Sequence, residues 1–253
     1  MNPRAFLTGL ARAALAATVL FLSHYNFVWV AIGLICLPAI FLWWRGGRGR
    51  ETALALAPAI VLGVSVSLLI GLNRPPLGTP ILPPLTQIGL AVIYALTLGW
   101  LDRLRRAETV HVLGAVVLQA LSLTAVYLWA AFWHLPDVAV VSVAWLASYI
   151  TALWYLKGTG ERAAGLLAAT WALIVSQITW ILAIWQVNYI ISDGYIIVPQ
   201  AVIIVLGLGY VFGSVHHAHA TRALSRRRLI EYVAIAGVLL AIVVAGTHWN
   251  GSL

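Results

Sequence analysis

Residues 52–72 read Thr-Ala-Leu-Ala-Leu-Ala-Pro-Ala-Ile-Val-Leu-Gly-Val-Ser-Val-Ser-Leu-Leu-Ile-Gly-Leu, without one charged side chain. A helix of about 20 apolar residues crosses the hydrocarbon core of a bilayer, and this run has that length. Residues 194–215 form a second such run. Both are continuously apolar, whereas the strands of a membrane β-barrel alternate in polarity over ~10 residues. Extended along the chain, the same reading places spans near residues 5–23, 27–44, 52–72, 84–101, 109–133, 138–156, 163–186, 195–218 and 229–247. The expected fold is an all-α, polytopic transmembrane helical bundle of about nine spans. It forms a single integral membrane domain over residues 1–253.

Composition points the same way. Hydrophobic residues make up 62% of the chain and charged residues 9%, against roughly 25% charged in a soluble domain. So few charges cannot cover a water-facing surface, and lipid must cover most of it. The net charge of +8 would suggest nucleic acid in a soluble protein. Here the basic residues sit in short loops between spans, where they set orientation, and no nucleic-acid partner is expected.

Alternate loops of a nine-span chain face the same side. One side receives Arg4, Arg12, Arg45, Arg48, Arg50, Arg103, Arg105, Arg106, Lys157, Arg162, Arg222 and Arg226–Arg228, and the other receives Arg74. The excess of Lys and Arg makes the first side cytoplasmic, with the N-terminus inside and the C-terminus outside. A prokaryotic inner membrane or a plasma membrane is the expected location. Aromatic residues that prefer the interfaces fall at inner ends (Trp43, Trp44, Trp100, Trp154, Tyr155, Tyr232) and outer ends (Tyr25, Trp133, Trp185, Tyr189, Tyr195, Trp249). Arg4 and Arg12 precede an apolar stretch as in a signal peptide, but no small-residue cleavage site follows, so a retained first helix is expected.

Glu51, Glu108, Glu161 and Glu231 each fall at the cytoplasmic start of an odd-numbered span, where free N–H groups and the helix dipole stabilise a carboxylate. Asp137, after Pro136, reads as an N-cap, and Asp193-Gly194 as a turn. Residues 73–84 carry five prolines, which forbid helix and favour an extended connector. Arg226, Arg227 and Arg228 lie beside the membrane surface and are expected to contact anionic lipid, at order ~1 kcal/mol each.

Ionisable residues deep in a membrane mark transport or catalysis, and this chain has almost none. Its deep polar residues are amides and hydroxyls, among them Gln87, Gln119, Ser176, Gln177, Thr179 and Gln200. These either bond helix to helix or line a pathway or pocket. Gln177, flanked by Ser176, Thr179 and Trp180, is the leading candidate for a small polar pocket. A b-type haem would need axial histidines from facing helices at one depth. His111 with one of His216, His217 and His219 is the pairing that would supply them. A zinc or copper site needs three or four converging ligands, which His216-His217-Ala218-His219 on one helix does not offer. Cys36 is the single cysteine, which excludes an iron–sulfur cluster. Lys157 is the single lysine and sits at a helix end, which excludes a retinal Schiff base within the bundle. No phosphate loop, zinc-protease motif or serine elbow occurs.

The leading expectation is a non-enzymatic subunit or accessory protein of a larger membrane assembly, with lipids and other membrane subunits as partners and no cofactor. A transporter or channel for a small or apolar solute is the first alternative, and its four glutamines, Gln87, Gln119, Gln177 and Gln200, should converge. A membrane redox or haem-binding protein is the second.

Overall fold

The computed structural model describes residues 14–15, 17–19, 21–23, 27–46, 48–72, 87–94, 108–184, 188–191, 196–220, 222 and 225–246. Arg12 and most of the first expected span lie outside the described residues. So do the proline-rich connector, Arg103, Arg105, Arg106, Asp193-Gly194, His24 and His248.

The described chain is helical with one small hairpin. Helices α1 (Val28–Trp44), α2 (Arg48–Gly71), α3 (Glu108–Trp133), α4 (Asp137–Gly158) and α5 (Ala164–Ile184) lead into strands β1 (Asn188–Ile191) and β2 (Ile196–Pro199). Helices α6 (Gln200–Ala220) and α7 (Arg226–Gly246) follow. Residues 14–23, where described, and 87–94 are also helical. Among the described residues, four helices are long and apolar enough to cross a membrane: Gly114–Ala131, Asp137–Gly158, Ala164–Leu182 and Gln200–His219. Val28–Trp44 and Leu56–Gly71 are shorter apolar helices. Pro38 and Pro58 lie inside α1 and α2; apolar helices tolerate such breaks when neighbours satisfy the freed carbonyls.

Helix α3 is the axle of the bundle. Its apolar stretch is 67% buried, against 33%, 28% and 33% for those of α4, α5 and α6. On one side Trp129 Nε1 donates to the Leu68 carbonyl of α2 at 2.6 Å. On the other, Leu123 and Tyr127 pack with Val175 of α5 and Val202 and Val205 of α6. Nearer its start, Val112 packs with Leu153 and Leu156 of α4 and Ala168 of α5. Helix α1 packs through Ala31 and Ile35 onto Leu62, Val66 and Ile70 of α2. It leaves Trp29, Leu37, Ile40, Phe41 and Trp44 exposed, which suits a lipid-facing helix.

Two expectations need correction. Residues 196–199 pair antiparallel with 188–191, Ile191 opposite Ile196 and Asn188 opposite Pro199, so the helix expected from residue 195 begins at Gln200. The β-branched run Ile196-Ile197-Val198 favours extended backbone, and Pro199 disfavours the helical region for Val198 before it. Asp137 is not an N-cap: Pro136 holds that position with no side-chain cap bond, and Asp137 is the first residue of α4. Its carboxylate acts there through the helix dipole.

Candidate functional site

Helices α3 to α6 enclose a cavity of about 250 Å³. Helical periodicity explains which side chains reach it. Thr151 and Tyr155 share one face of α4, and Gly209, Gly213 and His216 share one face of α6. Helix α5 contributes Leu167, Thr170, Trp171 and Ile174, and α3 contributes Val112, Ala115, Val116 and Gln119. The glycines make the room: a Cβ at Gly213 would stand 2.9 Å from Val112 Cγ1, and one at Gly209 would stand 3.7 Å from Gln119 Oε1. Leu167, Thr170 and Phe212 are exposed as well as lining, so the cavity opens sideways between α5 and α6.

The wall is mostly hydrocarbon, with two polar stations. At the first, Gln119 joins three helices: its Nε2 donates to Ser148 Oγ at 3.0 Å, and its Oε1 accepts from Trp171 Nε1 at 3.2 Å. Trp171 in turn meets Phe212 edge-on, ring centroids 5.4 Å apart. Two helical turns along α6, or about 10 Å, stands the second. Tyr155 Oη donates to the Gly213 carbonyl at 3.2 Å and lies 3.5 Å from His216 Nδ1. His216 Nε2 lies 3.4 Å from Glu161 Oε2. These last two contacts are long for hydrogen bonds.

The turn after α4 puts Glu161 there. Gly160 adopts φ +75°, the left-handed conformation that glycine takes without steric cost. Its N–H bonds to the Lys157 carbonyl, and the Glu161 N–H bonds to that of Leu156, the paired bonds of a Schellman helix end. Glu161 Oε1 then accepts from the Ala163 N–H at 3.3 Å, just before α5. The Ala163 N–H and then the His216 contact hold the Glu161 carboxyl below its usual value, against an opposing desolvation.

The residues singled out in the sequence scatter. Gln119 and His216 line the cavity; Gln87 and Gln200 are buried but do not line it, and Gln177 is exposed. The four glutamines therefore do not converge. On α5 the buried stripe is Ala164, Ala168, Ala172, Val175 and Thr179, which turns Gln177 and Trp180 to the opposite side. Ser176 bonds back to the Leu173 carbonyl. The buried hydroxyls of Thr179 and Tyr127 lie beside each other, with no other hydrogen-bond partner among the described residues. His219 is exposed, His217 is half-buried and the His111 side chain lies outside the described residues. Both ring nitrogens of His216 face other groups, Tyr155 and Glu161, rather than an open axial position. Among the described residues, no three His, Cys, Asp or Glu side chains are grouped to hold a metal ion. Arg227 pairs with Glu231 at 3.3 Å on the surface of α7.

Sequence reasoning missed Tyr155, assigned to the interfacial belt, and the partnership of Glu161 with His216. The available signal was Gly209-x-x-x-Gly213 in an apolar helix, which permits close helix approach. Comparison with known protein families, with curated proteins and with solved structures finds no match.

Proposed function

We propose that this chain is a multi-pass integral membrane protein that holds a small apolar molecule in the cavity among α3, α4, α5 and α6. The carrying observation is the cavity itself: about 250 Å³, walled by four helices and open sideways between two of them. A dry apolar cavity of about 150 Å³ already takes benzene, so this one suits a molecule somewhat larger. A sideways opening faces the acyl chains of a bilayer and admits such a molecule from lipid. The nine-span, inside-to-outside topology is part of the proposal. In its support, the turn after α4 and the C-terminal end of α6 meet through Glu161 and His216, as alternating spans require. Lys157, Arg162, Arg222 and Arg226–Arg228 flank that same end and suit an anionic, cytoplasmic membrane surface.

Gly209→Val tests the cavity. Its Cβ would meet Trp171 at 3.5 Å and Gln119 and Val116 at 3.7 Å, ordinary contacts, so the backbone there accepts a side chain, and matched folding of parent and variant is checked beside the labelling. A diazirine-bearing alkylbenzene should label α3–α6 peptides of the parent chain in lipid nanodiscs and lose that labelling in Gly209→Val. Equal labelling of two equally well-folded proteins would remove the cavity reading.

One observation favours a second reading, a subunit of a larger membrane assembly. Gln177 lies within α5 on an exposed face with Leu173, Trp180 and Ile181. An amide facing hydrocarbon lacks partners, and a polar side chain on a neighbouring helix would supply them. In native electrophoresis after gentle extraction, the parent should migrate as a complex that Gln177→Leu dissociates. Unchanged migration of the variant would count against this interface.

A further inference from the structure

We infer that the molecule held in the cavity carries an uncharged hydroxyl that donates a hydrogen bond, an assignment that rests on the cavity being a ligand site. The lining's hydroxyl and indole donors are engaged, and so is one of the two amide N–H groups of Gln119, which goes to Ser148. Tyr155 gives its proton to Gly213, Thr170 to Leu166 at 3.0 Å, and Thr151 to Ala147 and Ser148 at 2.9 and 3.1 Å. Trp171 gives its N–H to Gln119. Each of these hydroxyl oxygens keeps lone pairs after donating, and so does the Gln119 carbonyl. What the wall offers an occupant is therefore mainly acceptors. A hydroxyl donor completes them, whereas an ether or ester of the same size leaves them as they were.

Charge narrows the class further. Glu161 stands at the His216 end and repels a carboxylate or phosphate head. A cationic head finds no free counter-charge, since Glu161 is already turned toward His216 and Ala163. An unpaired charge among these apolar walls is strongly disfavoured. The edge-on pair Trp171–Phe212 presents aromatic walls that suit a ring. A phenol of about ten heavy atoms, scaled from benzene in about 150 Å³, meets all of these conditions.

The test compares para-propylphenol with para-propylanisole, in which a methyl group replaces the donated proton. Binding is measured by equilibrium dialysis against nanodiscs containing the chain, with protein-free nanodiscs as the baseline for partitioning into lipid. The phenol should bind roughly 3- to 10-fold tighter, the worth of one net hydrogen bond. Loss of the acceptor that takes the proton, in Tyr155→Phe or in Gln119→Leu, should bring that ratio toward one, and Gly209→Val should abolish binding of both. Equal affinities for phenol and anisole, both lost in Gly209→Val, would overturn the donor assignment and leave the cavity standing. No binding of either compound above the lipid baseline would overturn the cavity reading and this inference with it.

Discussion

Gly63→Leu is expected to lower the melting temperature of the purified chain by about 5–10 °C, the shift that ~2–3 kcal/mol of overpacking produces at this size. A Cβ at Gly63 would stand 2.7 Å from Tyr94 Oη and 2.9 Å from Tyr94 Cζ. Tyr94 is 1% exposed and packed in the cluster of α1 and α2 with Val66 and Ile70, so its ring has nowhere to retreat. Gly63→Ala isolates the argument, because two effects oppose each other there. Alanine gains up to ~1 kcal/mol of helix propensity over glycine, while the clash costs about 1–3 kcal/mol; a net loss is expected. At Gly33, where nothing lies within 4 Å of the added Cβ, only the propensity term remains and Gly33→Ala should be neutral or stabilising. Combining Gly63→Ala with Tyr94→Leu should recover part of the loss, as directly contacting residues are non-additive. If Gly63→Leu melts together with Gly33→Leu, the close packing of Tyr94 on α2 is wrong.

That contact shows where sequence reading stops. Spans read near 27–44, 109–133 and 138–156 correspond to α1, α3 and α4 within about two residues, a tolerance normal for helix ends, because length and continuous apolarity mark them. A helix apolar all round carries no amphipathic stripe, so the sequence leaves open which face turns inward. Gln177 looked like a pocket residue and faces out; Tyr155, read as an interface anchor, faces the cavity. The Glu161–His216 contact joins positions far apart in the chain and depends on the rotation of α6 against α4. The Schellman turn was more accessible. Lys-Gly-Thr-Gly at 157–160 is a helix-stop sequence, and it fixes where Glu161 emerges. The hairpin was hidden for the opposite reason: Ile196-Ile197-Val198 has the hydropathy of a span and the β-branching of a strand, and hydropathy alone favours the wrong element.

Gln119→Leu is the other change with a large expected effect, since one side chain links α3 to α4 and α5. Leucine keeps the volume and leaves Trp171 Nε1 and Ser148 Oγ without their partner. In a soluble core, each orphaned buried group would cost about 1–3 kcal/mol. Measured interhelical hydrogen bonds in membrane proteins average nearer ~0.6 kcal/mol, with a maximum of ~1.7, because the unfolded chain in lipid also finds partners. The smaller scale should govern, and a total of about 1–2 kcal/mol is expected from the two bonds together. The cycle with Trp171→Phe measures one of them. Phenylalanine keeps an aromatic ring beside Phe212 and removes only the indole N–H and its ring, so the double variant should be more stable than the sum of the single losses by about 0.6–1.7 kcal/mol. Strict additivity would mean that the Trp171–Gln119 bond contributes nothing to stability. The same variants bear on the ligand, because Gln119 Oε1 is an acceptor in the wall. Gln119→Leu should weaken para-propylphenol more than para-propylanisole if the hydroxyl sits near Trp171. It should affect the two equally if the hydroxyl sits at Tyr155, so stability and selectivity together locate the head group within the cavity.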